Sequence, residues 1–230
     1  MQDDPQVFQR ARSAEHKQRR AADLLAAARR LAEQHGVGAV TLADTAELAG
    51  VHPSAMRRYF SAREELFLRL AAEDWHEWAD AVGVALSGSA GRRSTASRVT
   101  RVTRVARVLG DTLADRPLFC DLLGHVIVTF EPEATAQAAR DYKLSALDDA
   151  QAITQACRAA LPDLSDRAAA DLLATATSLA AMLYQISNPA PGLAELYVTE
   201  PRLAHAAGDF RPRLTRLLTA TLSGLVPEAA

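Results

Sequence analysis

The chain has 230 residues, 49% of them apolar, 5% aromatic and 23% charged, with a formal net charge of −2. That length suits one or two domains with a sizeable core. Two cysteines, Cys120 and Cys157, with no C-x-x-C spacing exclude a disulfide scaffold and read as buried thiols of a cytosolic protein. Ala dominates the composition, and Ala, Leu, Arg and Glu are strong helix formers. Only Val126-Ile-Val-Thr-Phe130 has an ambiguous, strand-like character, so the fold class is all-α. No apolar run follows the start, so no signal peptide is expected. The longest uncharged stretch, Leu172 to Ala194, carries Thr, Ser, Gln, Asn and Pro and reads as a buried helix with its loop, not a membrane span. Charge is unevenly placed. Residues 1–63 hold ten Arg and Lys against seven Asp and Glu, whereas the remainder holds sixteen against twenty-one. A basic head on an acidic body suits an electrostatic footprint at one end.

In chain order, Arg10, Arg12, Lys17, Arg19 and Arg20 form a basic arm leading into a first helix, Ala21-Ala-Asp-Leu-Leu-Ala-Ala-Ala-Arg-Arg-Leu-Ala-Glu-Gln-His-Gly36. Leu24, Leu25, Ala28, Leu31 and Ala32 recur there at helical spacing. Thr41 is an N-cap residue with Asp44 three positions on, where a capping-box acid belongs, although the strict box takes Glu or Gln. Helix two is predicted at 42–48. Gly50 stands where that helix stops and φ > 0 is useful, Val51 plugs the corner, and Pro53 suits the first turn of helix three, at 53–59. A fourth helix opens at Ser61-Ala-Arg-Glu-Glu-Leu-Phe67, with Glu64 and Glu65 favoured by the helix dipole. Two short helices and a tight corner make a helix-turn-helix, whose second helix enters the major groove.

The order and spacing of these pieces, over about a quarter of the chain, resemble the N-terminal DNA-binding domain of the tetracycline-repressor (TetR) family. The resemblance implies a DNA-binding domain over 1–63 and a helical ligand-binding and dimerisation domain over 64–230. It implies a homodimer, paired through the last two long helices, that binds double-stranded DNA at a palindromic operator and is released by a small-molecule inducer of unknown identity. By the same resemblance Thr41 caps helix two and takes a phosphate, and Tyr59 and Arg63 touch the backbone. His52, Ser54, Ala55 and Arg58 approach bases. The family usually has Tyr where this chain has Arg57, and an aliphatic where it has Thr45. Arg57 adds a bidentate donor suited to guanine.

Beyond the head, the fourth helix continues through Leu66, Leu70, Trp75, Trp78 and Val82 to a linker at Ser87-Gly-Ser-Ala-Gly91. Arg98-Val-Thr-Arg-Val-Thr-Arg-Val-Ala-Arg107 sets an Arg stripe beside a Val stripe, either one wet and one buried face or a basic wall for an acidic ligand or partner. Further helices are predicted at 118–129, from near Pro132 to Leu161, at 166–186 with Ser165 as cap, and at 209–225, with loop or short helix over 193–207.

For the inducer, the resemblance places a pocket in the body, and the candidates facing it are Trp75, Trp78, Phe119, Leu123, Phe130, Tyr142, Met182 and Tyr184. Each of them also reads as ordinary core. The ligand is expected to be apolar or amphipathic. No catalytic constellation is assembled. The six histidines lack metal-ligand spacing, and no nucleophile elbow or phosphate loop is present. No cofactor, metal, membrane or enzymatic activity is expected, and the localisation expected is cytoplasmic. Two other classes stay open: a DNA-binding regulator without a small ligand, and an all-α enzyme or scaffold on the same fold.

Overall fold

The computed structural model describes residues 5–87, 97–203 and 209–226, with the side chains of 5–14 and 191 left aside. Among the described residues there is no strand. The α-helices are α1 Pro5–His35, α2 Leu42–Leu48, α3 Arg63–Ser87, α4 Arg98–Ala114, α5 Pro117–His125, α6 Glu131–Glu133, α7 Ala136–Ala160, α8 Asp166–Ser187, α9 Pro191–Thr199 and α10 Phe210–Leu225. The expected linker at 87–91 falls almost wholly outside the described residues, as do the side chains of Arg10 and Arg12.

The predicted stops and starts are visible in the geometry. Ser97, Thr135 and Ser165 each accept a hydrogen bond from the backbone N–H three residues on, capping α4, α7 and α8. The helix expected from Pro132 begins at Ala136 instead. Pro132 lies in the one-turn α6, and the extended backbone of Ala134 separates that turn from the Thr135 cap. The strand-like run Val126–Phe130 is a π-helical turn, which lets the chain bend between α5 and α6 while burying Val126 and Phe130 and exposing Ile127 and Val128.

The long α3 joins head and body. It packs along α7, while α4 packs on α10 and α5 on α8. The α4–α10 approach is close enough that a side chain at Gly110 would strike Thr215. One continuous apolar cluster runs from Leu24, Ala28 and Phe60 in the head through Phe67, Trp78 and Phe119 to Leu214, Leu218 and Leu222. Head and body therefore meet through a shared core rather than a hydrated gap.

The Arg stripe of α4 is neither a wet face nor a basic wall. Arg98 donates to the Val226 carbonyl, Arg101 pairs with Asp163, and Arg104 donates to the carbonyls of Ala85 and Leu86 at the end of α3. Three of the four arginines thus tie helix ends and loops together, and Arg107 alone is fully exposed. Helix α8 is long and apolar enough to cross a membrane by length and composition. Its apolar residues divide, however, between a core face (Leu172, Leu173, Ala176, Ala180, Leu183) and an exposed stripe of Ala170, Ala174, Ser178, Met182 and Ile186.

Candidate DNA interface and body core

The head is built by local chemistry. Thr41 accepts the Asp44 N–H, while the Asp44 carboxylate accepts the Thr41 N–H at 3.1 Å and its hydroxyl at 2.7 Å. The capping box therefore closes with Asp in the place of Glu. These hydrogen bonds from Thr41 hold the Asp44 carboxyl below its ordinary range. The Thr41 hydroxyl proton is committed to Asp44, so Thr41 serves here as a cap, with a carboxylate where a phosphate would approach. Gly50, at φ +63°, takes the left-handed conformation that turns α2 towards the next segment.

That segment, Pro53–Arg58, is a 3-10 helix rather than the α-helix expected, and it ends one residue earlier. His52 caps it: Nδ1 accepts the Ser54 N–H and lies 2.8 Å from the Ser54 hydroxyl. Met56 and Phe60 are buried beneath it. His52, Ser54, Arg57 and Arg58 are exposed, and Ala55 and Tyr59 are half-buried. Neither Arg57 nor Arg58 makes a hydrogen bond or ion pair among the described residues. Two adjacent guanidiniums stand uncompensated on the outer face of the corner, the arrangement that phosphates and guanine edges require.

Arg63 departs from expectation. It is half-buried at the start of α3, with Nε on the Val40 carbonyl and one terminal nitrogen on the Val37 carbonyl, both at 2.6 Å. The guanidinium also lies over the Phe67 ring at 4.8 Å. It braces the turn at 36–40, with two of its five donors taken up by the chain's own carbonyls.

The pocket candidates divide. Trp75, Trp78 and Phe119 form one packed aromatic cluster with ring centroids 5.4–5.7 Å apart. Their polar edges are satisfied inside it: Trp75 donates to the Tyr142 hydroxyl at 3.1 Å, and Trp78 donates to the Thr112 hydroxyl at 2.9 Å. Phe130 stacks on Phe67 and against His125. These residues are buried in the core cluster of the body. Met182 is 60% exposed on the outer stripe of α8, so it does not face the interior of its own chain. Leu123 and Tyr184 are half-buried, and Tyr184 meets the Phe210 ring edge-on. Tyr142 alone among the eight lines a described cleft, of about 330 Å³, between α3 and the start of α7. Leu68 and Ala72 give that cleft an apolar floor, and Glu65, Arg69, Gln137 and Asp141 give it a polar rim. Burial pushes the Tyr142 hydroxyl up to about 12.

Buried carboxylates that the sequence did not reveal join the helices, and two of the three hold head to body. Asp74, in α3, accepts from Arg29 of α1 at 2.6 Å, and its second oxygen, Oδ2, is buried without a partner. Burial outweighs Arg29 and pushes the Asp74 carboxyl up to about 6. Asp121, in α5, accepts the Val37 N–H at 2.7 Å and the Gln185 side-chain amide at 2.8 Å. Asp149, in α7, meets the exposed His76 of α3 at 3.1 Å and raises its pKa. A signal for two of them lay in the register. Asp74 falls on the Leu70–Trp78 face of its helix, and Asp121 interrupts the apolar run Leu118-Phe-Cys-Asp-Leu122. Burial pushes both thiols, Cys120 and Cys157, up to about 12, which suits packing and not thiolate chemistry.

A helix-turn-helix bearing two exposed arginines without a partner among the described residues, carried on an all-α body by one long helix, defines a DNA-binding regulator. The sequence matches two family models: "Bacterial regulatory proteins, tetR family" over residues 24–70, and "Tetracyclin repressor-like, C-terminal domain" over residues 72–229. The chain belongs to the TetR family and is a DNA-binding transcriptional regulator; homodimerisation and ligand binding are typical of that family. No curated protein matches the sequence. Solved structures share the fold. The multidrug binding protein EbrR complexed with imidazole is 18% identical, with a TM-score of 0.57, over 92% of this chain and 97% of its own. A possible TetR family transcriptional regulator from Streptomyces coelicolor A3(2) is 22% identical, with a TM-score of 0.55, over 89% of this chain and 98% of its own. A bacterial regulatory protein in the tetR family from Rhodococcus RHA1 is 17% identical, with a TM-score of 0.54, over 92% and 98%.

Proposed function

We propose that this chain is a cytoplasmic repressor that binds a near-palindromic operator as a homodimer and leaves it when a small molecule occupies the body. Residues 1–63 act as the DNA-binding head and 64–230 as the body. The observation that carries the reading is the pair of unpaired guanidiniums, Arg57 and Arg58, flanked by exposed Ser54 and His52 on a short helix whose back is packed into the core. Arg57 and Arg58 supply base and phosphate contacts. Ser54, His52 and the half-buried Ala55 and Tyr59 complete the face. Thr41 sets the angle of α2 through its cap, and Arg63 supports the turn behind it.

Pairing runs through α8 and α10. The exposed α8 stripe repeats every four residues, carries no charge, and is small at one end and apolar at the other. Beside it α10 exposes Ala220, Ser223 and Gly224. Small residues on both helices permit close approach, as in a four-helix bundle across a two-fold axis. Two recognition helices then meet successive major grooves on one face of the duplex, about 34 Å apart.

The inducer site consistent with this body is the cleft between α3 and α7 that Tyr142 lines. An amphipathic small molecule fits its apolar floor and charged rim, and a site against α3 bears directly on the helix that carries the head. Release requires a ligand preference between two states worth about 1–3 kcal/mol of coupling. The filled aromatic centre favours a second reading, a regulator with no small ligand. Selection of the full-length protein against a random duplex library tests the main claim. Enrichment of an inverted repeat is the expected result; no enrichment at low salt, where phosphate contacts are strongest, contradicts it.

A further inference from the structure

The turn that leads into the helix-turn-helix is gripped at Val37 and Val40, and only Val37 is tied to the body beyond α3. Val37 is fully buried, and its N–H donates to Asp121 Oδ2 of the body at 2.7 Å. Its carbonyl accepts from Arg63 of α3 at 2.6 Å. Gly36, just before it, adopts φ +81°, a conformation open to glycine that turns the chain out of α1. Three residues after Val37, Val40 hands the chain to Thr41, the cap of α2. A shift at Val37 therefore enters α2 within one helical turn.

Asp121 has a second commitment. Its Oδ1 accepts from Gln185 Nε2 in α8 at 2.8 Å. Gln185 lies between Met182 and Ile186, the apolar end of the exposed α8 stripe. A buried carboxylate oxygen left without a donor carries a desolvation cost, and orphaning one costs more than the bond itself is worth. If α8 carries Gln185 away, Oδ1 keeps only the His125 ring nitrogen, 3.5 Å off, and the carboxylate is freer to turn from the Val37 N–H. One side chain is thus shared between α8, α5 and the head.

We propose that Asp121 is a positioning residue for DNA binding: its two oxygens tie the 36–40 turn to Gln185, so that the affinity of the head for duplex DNA depends on a side chain of α8. The DNA part of this assignment rests on the reading given under the proposed function.

The test uses the full-length dimer, the duplex selected by the unsubstituted protein, and amide hydrogen exchange at Val37. Asp121→Ala and Gln185→Leu each weaken duplex binding about tenfold, the effect of losing one buried, charge-assisted hydrogen bond. The doubly substituted protein is no weaker than the worse single variant, because both changes break one relay. Asp121→Asn, whose amide still accepts from Val37 and pairs with a flipped Gln185, stays within about threefold of the unsubstituted protein. In Gln185→Leu the Val37 amide exchanges about tenfold faster. Wild-type affinity in a folded Asp121→Ala dimer, or losses that multiply in the double variant, overturns the assignment. Should Asp121→Ala not fold, Gln185→Leu decides alone: unchanged affinity with unchanged Val37 exchange overturns the relay. Should the unsubstituted protein select no duplex, the DNA reading fails, and Val37 exchange still decides whether the relay exists.

Discussion

In the head, Arg57 and Arg58 stand in solvent on six residues of 3-10 helix with no partner for their charge among the described residues. In the body, Asp74, Asp121 and Asp149 are buried, and each is met by a group from another element: Arg29, Val37 with Gln185, and His76. The basic head and acidic body visible in the composition are therefore different kinds of charge. The head's outward cations are available to an external polyanion. The body's three buried acids fix where its helices sit, and two of them, Asp74 and Asp121, reach across to residues of the head. The contrast separates contact from alignment: one region touches the partner, and the other decides how it is held.

The largest effect expected on either side of that contrast is in the body core. Trp78→Ala should lower stability by about 3–5 kcal/mol, as for other large buried aromatics, measured by urea unfolding. A loss below about 1 kcal/mol would mean that the cluster around Phe119 lines a cavity and is not close-packed. In the head, Arg57→Ala combined with Arg58→Ala should cost roughly 100-fold or more in duplex affinity, at about 1–3 kcal/mol per good base contact, while gel filtration still shows the dimer and melting is unchanged. A matching loss of stability would place these arginines with the body's structural charges and erase the distinction.

Asp74 sharpens the comparison through pH. Its carboxyl titrates near 6 in the folded protein and at an ordinary 3.8 when unfolded. Between those values the folded state keeps a proton that the unfolded state has lost, so stability falls as pH rises across that window and is level above it. Asp74→Asn has no such proton. The stability of the wild type relative to that variant should fall by about 2–3 kcal/mol between pH 4 and pH 6. A flat difference would show that the Arg29 pair, not burial, governs this carboxyl.

The head was the legible region because its signals are local. Thr41 with Asp44, Gly50 and Pro53 each specify backbone geometry within a few residues, and α2 runs over the residues read from sequence. The all-α class and the Ser165 cap of α8 draw on the same short-range chemistry, whereas Pro132 misled the start of α7, whose cap is Thr135, because a proline opens a short turn as readily as a long helix. The body site was less legible because spacing cannot say what a buried side chain faces. Trp75 and Trp78 share one face of α3, which suits either a pocket or a core. Only the positions of Thr112 and Tyr142, 34 and 67 residues away, show that their polar edges are already paired. The structural role of Arg63 was hidden for a related reason: the carbonyls that it holds come from a turn 23–26 residues earlier.

The central claim is that two heads, fixed to one paired body, read two half-sites at a set separation. The direct measurement is the affinity for the selected duplex against the same duplex with about five base pairs inserted between its half-sites, which turns them to opposite faces of the helix. The account predicts that binding falls to the level of a single half-site or of unrelated DNA. Affinity unchanged by the insertion would mean that the heads bind independently, and it would contradict a body that aligns them.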